Sequence, residues 1–350
     1  MPGKISPVMG AKSRIASLFA LGMAVAAFVP PPPAEAANSA VVFMYHRFGE
    51  SSSPSTNIRI DQFEAHLKEL AEGGYEVLSL PSILSALERG EALPDKTIAL
   101  TIDDAYLSVY RVAWPRLKAA RFPFTLFVAT NPIDGKLRNY MNWDQIRELA
   151  KAGITIGSQT ARHLHMADSS ARRNAADLKK SNARFVAELG EKPKLFAYPY
   201  GEASLAVKTL VIAEGFVAAF GQHSGVVYDK ADFSYLPRFA LNEAYGNIDR
   251  FRLAANALPL PVSEITPRDP LLTDNPPAFG FTVDPSLKQI HRLACYQSGQ
   301  GKLPIERLGH RVEVRPKQAF RPGRTRINCT MPGPDNRWRW FGMQFYVRKP

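Results

Sequence analysis

Long hydrophobic runs are almost absent from this chain of 350 residues, and only residues 15–29 form one. That run is short for a membrane helix, which needs about 20 apolar residues. Three basic residues precede it, and the small-residue sequence Ala-Glu-Ala follows at positions 34–36. This order is typical of a secretory signal peptide. We therefore predict a signal in residues 1–36 and export to the periplasm or the cell exterior, with an uncleaved N-terminal anchor as the alternative.

Cysteine is equally scarce, because Cys295 and Cys329 are the only two in the sequence. Two thiols without a neighbouring cluster of ligands argue against a structural zinc site, which needs four ligands. In an exported protein, a lone pair of cysteines in one small region is most simply a disulfide. We predict this bond, which would stabilise the fold by about 3–4 kcal/mol.

Acidic residues are few near the C-terminus. Residues 280–350 contain 14 Lys or Arg and 4 Asp or Glu, and this region carries most of the chain's net charge of +12. The preceding body, residues 37–257, is nearly neutral, so the two regions are expected to have different physical roles. A basic exported domain would suit an anionic glycan or a membrane surface, and export argues against a nucleic-acid partner.

The body alternates strand-like and helix-like segments. The predicted strands are Val41–Tyr45, Tyr75–Leu80, Thr97–Ile102, Pro123–Ala129, Ile154–Gly157, Lys194–Tyr198 and Phe216–Phe220. The predicted helices are Gln62–Glu72 capped by Asp61, Pro81–Glu88, a segment through Ala119, a helix from the Asn142 and Gln145 capping box to Lys151, and Ala171–Leu189. Repeated β-α units predict a parallel sheet that closes, or nearly closes, into a barrel.

The chain changes character after the body. Prolines crowd residues 258–279, which we predict to be a linker. Beyond it, residues 311–315, 325–329 and 337–347 alternate in the manner of β-strands. Residues 280–350 are therefore predicted to form a small, disulfide-linked β-rich domain.

Two adjacent carboxylates, Asp103 and Asp104, close the apolar strand 97–102. Carboxylates at the end of a buried strand are costly to desolvate unless a metal or a reaction uses them. Both can serve one site only if the chain turns there, because neighbouring strand residues point to opposite faces. The alternative is that Asp104 caps a following helix while Asp103 is merely solvated.

Four predicted strands end in reactive or turn-forming residues. These ends are Tyr45-His46-Arg47, Asp103-Asp104, Ser158-Gln159-Thr160 leading to His163, and Pro199-Tyr200-Gly201. Active sites of β/α barrels lie at the C-terminal ends of the strands. Packing alone does not readily explain four such ends in one chain, so we predict an active site there.

These four motifs resemble those of the polysaccharide deacetylases, the NodB-homology group of carbohydrate esterases, over residues 39–257. The resemblance implies an irregular (β/α) barrel that removes acetyl groups from an amino-sugar polymer. It implies that Asp103 is the general base and His46 the general acid. It also implies that Asp104 and His163 bind a divalent metal, Zn²⁺ or else Co²⁺ or Ni²⁺, and that the backbone N–H of Tyr200 faces the oxyanion.

The sequence departs from the family pattern at two positions. Gln159, a candidate metal ligand, stands where the family usually has a metal-binding histidine, and a carboxamide binds Zn²⁺ less well than imidazole does. The outcomes left open are a weaker site, a water in place of the missing ligand, a ligand from elsewhere in the chain, or no metal. His165 is a candidate substitute ligand, although a surface role for it is the preferred interpretation. Ala197 stands where the family often has an arginine that holds the base. Arg238 could replace it, with a surface ion pair as the alternative, and Arg238→Ala should then cut turnover more than stability.

Arginines and tryptophans alternate at Arg337-Trp338-Arg339-Trp340 in the tail. On a strand, the arginines would share one face and the indoles the other. Trp338 and Trp340 are candidate glycan-stacking residues, with packing in the domain core as the alternative.

Three functional hypotheses follow. The first is an exported, metal-dependent hydrolase that deacetylates a chito-oligosaccharide, peptidoglycan or an exopolysaccharide. The second is a catalytically weak or inactive glycan-binding protein on a deacetylase scaffold, with Gln159 as the cause of the lost activity. The third is an O-acetyl esterase that uses the same site.

Overall fold

The computed structural model describes residues 1–4, residue 6 and residues 36–349. The predicted signal peptide lies almost entirely outside these residues. Within the described part of the chain, no helix is long and apolar enough to cross a membrane. From residue 36 onward, the described chain forms one compact unit that contains both the body and the tail.

The body is built on short strands. They are β1 (Ala36–Ala37), β2 (Ser39–Tyr45), β3 (Arg47–Phe48), β4 (Asn57–Ile58), β5 (Glu76–Val77), β6 (Leu93–Pro94), β7 (Thr97–Asp103), β8 (Phe124–Val128), β9 (Thr155–Ser158), β10 (Leu195–Ala197), β11 (Ala218–Phe220), β12 (Val227–Tyr228) and β13 (Phe239–Ala240).

The helices of the body lie between these strands. They are α1 (Ile60–Glu72), α2 (Leu80–Glu88), α3 (Trp114–Ala120), α4 (Thr130–Asp134), α5 (Trp143–Lys151), α6 (Ala171–Leu189), α7 (Leu205–Ala213) and α8 (Ile248–Ala255), with a π-helical segment at Val109–Ala113 and a 3₁₀ turn at Pro199–Gly201.

A curled parallel sheet forms the centre of the body. Its strands lie in the order β11, β10, β9, β8, β7 and β2, and all neighbours in this row are parallel. β12 continues the row antiparallel to β2, and β13 also pairs with β2. Every residue of β7 is buried, as expected for a parallel strand covered on both faces. The sheet is a half-barrel, and the C-terminal ends of its parallel strands share one edge.

Local signals in the sequence predicted some elements and missed others. The capping box of Asn142 and Gln145 opens α5, and α6 has the predicted bounds. The prediction that Asp61 caps α1 was wrong, because Arg59 is the N-cap and Asp61 lies in the first turn. There the carboxylate faces the positive end of the helix dipole.

The strand predicted at Tyr75–Leu80 is shorter than expected. Only Glu76–Val77 is extended and paired, and Leu80 already belongs to α2. The Ser79 side chain accepts a hydrogen bond from the Ser82 backbone N–H. This cap, together with Pro81 in the first turn, starts the helix early.

The tail is a pair of packed sheets that are mainly antiparallel. Its strands are β14 (Leu258–Pro259), β15 (Val262–Thr266), β16 (Phe279–Val283), β17 (Ala294–Gln297), β18 (Gly301–Leu303), β19 (Ile305–Leu308), β20 (Arg311–Val314), β21 (Gly323–Pro332) and β22 (Trp338–Val347), and a 3₁₀ turn spans Ile290–Arg292.

The two tail sheets have the orders β14-β22-β21-β17-β18 and β15-β16-β20-β19. β14 and β15 lie inside residues 258–279, so the segment predicted to be a linker contains two paired strands. The prolines hid the strand pattern, although Pro259 lies on an edge strand, where its missing N–H costs no ladder bond. Cys295 and Cys329 face each other across β17 and β21 and are joined as a disulfide.

The tail packs directly on the body. One hydrophobic cluster contains Phe196 and Tyr198 from β10 and its C-terminal end together with Phe279 and Phe345 of the tail. An ion pair between Arg337 and Asp95 adds a polar contact with a closest N–O distance of 2.8 Å. The body and the tail therefore share a continuous core.

Candidate active site

Unusual backbone conformations cluster where three parallel strands end. Asp104 follows β7 with φ 72°, Thr160 and His163 follow β9 with φ 67° and 53°, and Tyr200 follows β10 with φ 59°. Residues other than glycine seldom adopt this left-handed region, and such strain gathers at functional sites. The turn at Asp104 lets the two adjacent aspartates serve one site.

Asp103 is held in a fully buried ion pair. The Arg238 guanidinium donates from Nη1 to Oδ1 at 2.7 Å and from Nη2 to Oδ2 at 2.8 Å, and neither side chain is exposed. Arg238 also donates to Thr101 Oγ1 and to the carbonyl of Gly221. The alternative of a surface ion pair for Arg238 is therefore wrong. The bidentate geometry fixes the direction of the carboxylate and offsets its charge.

His46 lies on the other side of the same carboxylate. Its Nε2 is 3.9 Å from Asp103 Oδ2, and its side chain is 13% exposed. His46 directly follows β2, the neighbour of β7, which explains why the two motifs meet. A partly accessible imidazole beside a buried carboxylate can exchange a proton with a bound substrate.

Asp104 and His163 form a second pair at the edge of the site. Asp104 Oδ1 is 3.4 Å from His163 Nε2, and both side chains are partly exposed. Burial lowers the pKa of His163, although the charge of Asp104 opposes this shift. A neutral imidazole is the form that ligates a metal or accepts a hydrogen bond.

Gln159 does not complete this pair into a three-ligand site. Its side chain is fully buried, and its Oε1 accepts a hydrogen bond from the backbone N–H of Asp104 at 3.1 Å. Among the described residues, no group of three His, Cys, Asp or Glu side chains is placed to hold a metal. Catalytic zinc usually has three protein ligands. Asp104 and His163 thus fit two ligands of a divalent cation. Gln159, at the position of the third family ligand, instead binds the backbone N–H of Asp104.

His165 binds elsewhere. Its Nδ1 is 2.7 Å from Glu202 Oε2, and its ring stacks on Tyr200 with a centroid separation of 4.0 Å. Burial raises the pKa of Glu202, and the hydrogen bond from His165 opposes that rise. His165 lies at the surface, as its preferred interpretation expected, with a side chain that is 44% exposed, and its ring supports the Tyr200 turn.

Tyr200 contacts both His163 of the candidate site and residues of the tail. Its ring meets His163 edge to face at 4.5 Å. Its carbonyl accepts hydrogen bonds from Gln344 and Arg324 of the tail. Neither Gln344 nor Arg324 was predicted from the sequence, because polar positions on an alternating strand give no sign of what they will face.

The aromatic motif of the tail is split between solvent and core. Trp338 is 40% exposed, whereas Trp340 is half-buried, packs edge-on against Phe239 and donates from Nε1 to Asn328 Oδ1. The neighbouring arginines contact the chain itself, since Arg337 pairs with Asp95 and Arg339 donates to the carbonyl of Pro259. Trp338 remains the more accessible candidate for glycan stacking.

Comparisons with known proteins agree with this architecture. A family model described as polysaccharide deacetylase matches residues 90–219. IcaB from Ammonifex degensii superposes with a TM-score of 0.54 at 27% identity, covering 63% of this chain and 96% of that one. A Streptococcus pyogenes deacetylase, PplD, superposes with a TM-score of 0.55 at 21% identity, and the match covers 59% of this chain and 94% of that one. At this identity the match supports the fold alone.

Two curated relatives extend the comparison. YxkH of Bacillus subtilis, whose name places it among polysaccharide deacetylases, is 28% identical over 160 residues, or 46% of this chain and 56% of that protein. The poly-beta-1,6-N-acetyl-D-glucosamine N-deacetylase of Staphylococcus aureus is 24% identical over 234 residues, or 59% of this chain and 80% of its own. The family model, the curated relatives and the solved structures together support a divergent polysaccharide deacetylase family member. The fold class predicted from the four motifs is confirmed.

Proposed function

We propose that this protein is an exported hydrolase that removes N-acetyl groups from an amino-sugar polysaccharide, with poly-N-acetylglucosamine as the first substrate to test. The observation that carries the proposal is the buried Asp103–Arg238 pair with His46 3.9 Å from the carboxylate. The similarity to a poly-beta-1,6-N-acetyl-D-glucosamine N-deacetylase supports the choice of polymer. Export rests on the signal predicted in residues 1–36.

In this proposal Asp103 is the general base. It takes a proton from the water that attacks the acetyl carbonyl, and Arg238 keeps the carboxylate aimed at that water. His46 then protonates the amine that leaves, because it is the imidazole nearest the base in this constellation. The backbone N–H of Tyr200 donates to the oxyanion of the tetrahedral intermediate, where a fixed donor lowers the barrier most.

Asp104 and His163 would hold a divalent cation, Zn²⁺ or else Co²⁺ or Ni²⁺. When bound, it would supply Lewis-acid polarisation of the acetyl carbonyl. Gln159 would contribute indirectly, by fixing the Asp104 backbone through the 3.1 Å hydrogen bond. With two protein ligands instead of three, we expect weak metal affinity and a marked dependence of turnover on added metal.

A second candidate function follows from the same glutamine. If two ligands retain no metal at working concentrations, the chain would act as a glycan-binding protein on a deacetylase scaffold. Trp338, which is 40% exposed, is its candidate stacking residue, and the basic tail would suit an anionic glycan.

The test uses the full chain, β-1,6-linked and β-1,4-linked N-acetylglucosamine oligomers, and an O-acetylated glycan, with acetate release as the readout. Zn²⁺, Co²⁺ and Ni²⁺ are added in turn to chelator-treated protein. We expect metal-stimulated release of acetate from an N-acetylated oligomer, absent in Asp103→Asn. Release from the O-acetylated glycan alone would make the protein an esterase. Retained glycan binding without any turnover would favour the scaffold.

A further inference from the structure

The tail contributes a buried side chain to the turn that carries Tyr200. Gln344 on β22 is 1% exposed, and its Nε2 donates to the Gly201 carbonyl at 2.7 Å and to the Tyr200 carbonyl at 3.1 Å. One carboxamide from the tail therefore holds two consecutive carbonyls of the active-site turn. These two hydrogen bonds span 143 and 144 residues of sequence.

Arg324, on the adjacent strand β21, approaches the same turn. Its Nη1 is 3.4 Å from the Tyr200 carbonyl oxygen, and its guanidinium carbon lies 5.5 Å from the centre of the Tyr200 ring. Its Nε is 3.7 Å from Glu202 Oε1, one residue beyond the turn. Arg324 pairs with Tyr346 in the β21–β22 register, which makes it a diagonal neighbour of Gln344.

The turn needs such support because its conformation is unfavourable. Tyr200 has φ 59° and ψ 6°, a left-handed geometry that a bulky side chain seldom adopts. Strained backbone of this kind persists only where the surrounding structure over-determines it. The body supplies part of that support through the stacked ring of His165 and through the Tyr235 hydroxyl, which donates to the Gly201 carbonyl at 2.7 Å. The tail adds the contacts of Gln344 with both carbonyls.

We propose that the tail is a working part of the active site, in which Gln344 and Arg324 are positioning residues for the Tyr200 turn. This inference rests on the proposed function, in which the N–H of Tyr200 faces the oxyanion. Holding the Tyr200 and Gly201 carbonyls fixes the dihedral angles of Tyr200, and these set the direction of its N–H. Neither residue needs to touch the substrate.

The decisive variant is Gln344→Leu, which keeps the approximate size and removes both donors. Its matched control is Gln297→Leu, a buried glutamine of the same tail on β17, 5% exposed. On N-acetylglucosamine oligomers, we expect Gln344→Leu to lower kcat by about 10- to 100-fold with little change in KM, since small displacements of transition-state donors act on kcat. Gln297→Leu should retain kcat.

A conservative variant gives a second kinetic readout. Gln344→Glu keeps the shape, but its carboxylate repels the two carbonyls and only its protonated form can donate. Its kcat relative to wild type should therefore rise as the pH falls. A ratio that does not change with pH, or equal losses of kcat in Gln344→Leu and Gln297→Leu, would overturn the proposal and leave Gln344 as a docking contact.

Hydrogen exchange of residues 200–202 separates this inference from the proposed function. In Gln344→Leu, these amides should exchange about 10-fold faster than in wild type or Gln297→Leu, because local opening becomes easier. If wild type shows no turnover, the proposed function fails and this measurement alone decides the inference. Unchanged exchange in Gln344→Leu would then refute it, and selective loss of protection would support it.

Discussion

The two halves of the candidate site differ in whether another residue replaces one that the family pattern has and this chain lacks. The base half consists of Asp103, Arg238 and His46, and the ligand half consists of Asp104, His163 and Gln159. In the base half, Ala197 lacks the arginine that the family often has there, and Arg238 supplies a guanidinium from a segment next to β13. In the ligand half, Gln159 replaces a histidine, and within residues 36–349 no His, Cys, Asp or Glu side chain completes a three-ligand group, since His165 turns to Glu202.

The difference follows from the physical demands of the two interactions. A guanidinium on a long side chain can reach a carboxylate from several backbone positions, provided that two N–H groups align with two oxygens. A metal ligand must present a lone pair at about 2 Å and in a tetrahedral direction, which few backbone positions allow. A lost charge partner is thus easier to replace than a lost ligand.

The most severe break in the base half should come from Asp103→Asn. The amide keeps the shape but cannot accept a proton, so turnover should fall by about 100- to 10,000-fold. Initial rates of acetate release at saturating metal measure the effect. Asp61→Asn, at an exposed residue of α1, is the control and should keep wild-type turnover. Equal rates in Asp103→Asn and wild type would remove Asp103 as the base.

Arg238→Leu tests whether the base half also stabilises the fold. It leaves Asp103 buried without its partner, which should reduce the free energy of unfolding by about 3–5 kcal/mol. Denaturant titration measures this loss. Because both side chains are fully buried, we expect a loss of stability as well as a loss of turnover. This loss of stability is larger than the one expected from the sequence alone.

Arg59→Leu is the control for that substitution. Arg59 pairs with Asp61 on the surface, where both side chains are at least half exposed, and its loss should leave the unfolding free energy unchanged. Equal stability of Arg238→Leu and wild type would mean that the buried pair is not formed in solution.

Gln159→His should add the metal ligand that the ligand half lacks. A second imidazole, which would be a third ligand beside Asp104 and His163, should raise Zn²⁺ affinity by more than about 100-fold, because even changes behind the ligands alter affinity by about 10- to 100-fold. Competition with a chromophoric chelator gives the dissociation constant. Gln159→Leu, which removes the amide without adding a ligand, is the matched control. An unchanged affinity in Gln159→His would show that the two retained ligands do not face a metal position.

The smallest expected effect concerns His223, whose backbone carbonyl accepts a hydrogen bond from the backbone N–H of Arg238 in the base half. Burial, followed by the charges of Arg326 and Arg238, lowers the pKa of His223 to about 3. Below the unfolded value of about 6.5, the unfolded chain takes up a proton that the folded chain does not. The free energy of unfolding should therefore decrease as the pH is lowered, and His223 should account for a loss of about 2 kcal/mol between pH 7 and pH 5.

Unfolding of His223→Gln at several pH values checks this estimate. The variant should lose the contribution of His223 and show a flatter pH dependence than wild type. Gln222→Ala, at the adjacent half-buried residue, should keep the wild-type slope. The same slope in His223→Gln and wild type would mean that the imidazole is accessible to protons in the folded state.

Some features of the fold could be predicted from the sequence because they depend on residues that are neighbours along the chain. The capping box at Asn142 and the polar helix α6 have local causes, and both were predicted. The strand β14 was missed because its edge position depends on pairing with β22, far along the chain. The strand β15 pairs with the next strand, β16, and was missed because prolines hid its pattern. The early start of α2 shows that a local cap can also overrule an apolar run.

By itself, the sequence determined the family resemblance, the order of the four motifs and the existence of an edge where they meet, since alternating strands and helices put the C-terminal ends of parallel strands together. Only the tertiary structure decided that Arg238 meets Asp103, that Gln159 binds a backbone N–H, and that Gln344 holds the Tyr200 turn. These contacts join residues 135, 55 and 143 positions apart. Their formation depends on distances and directions that packing sets and no local pattern records.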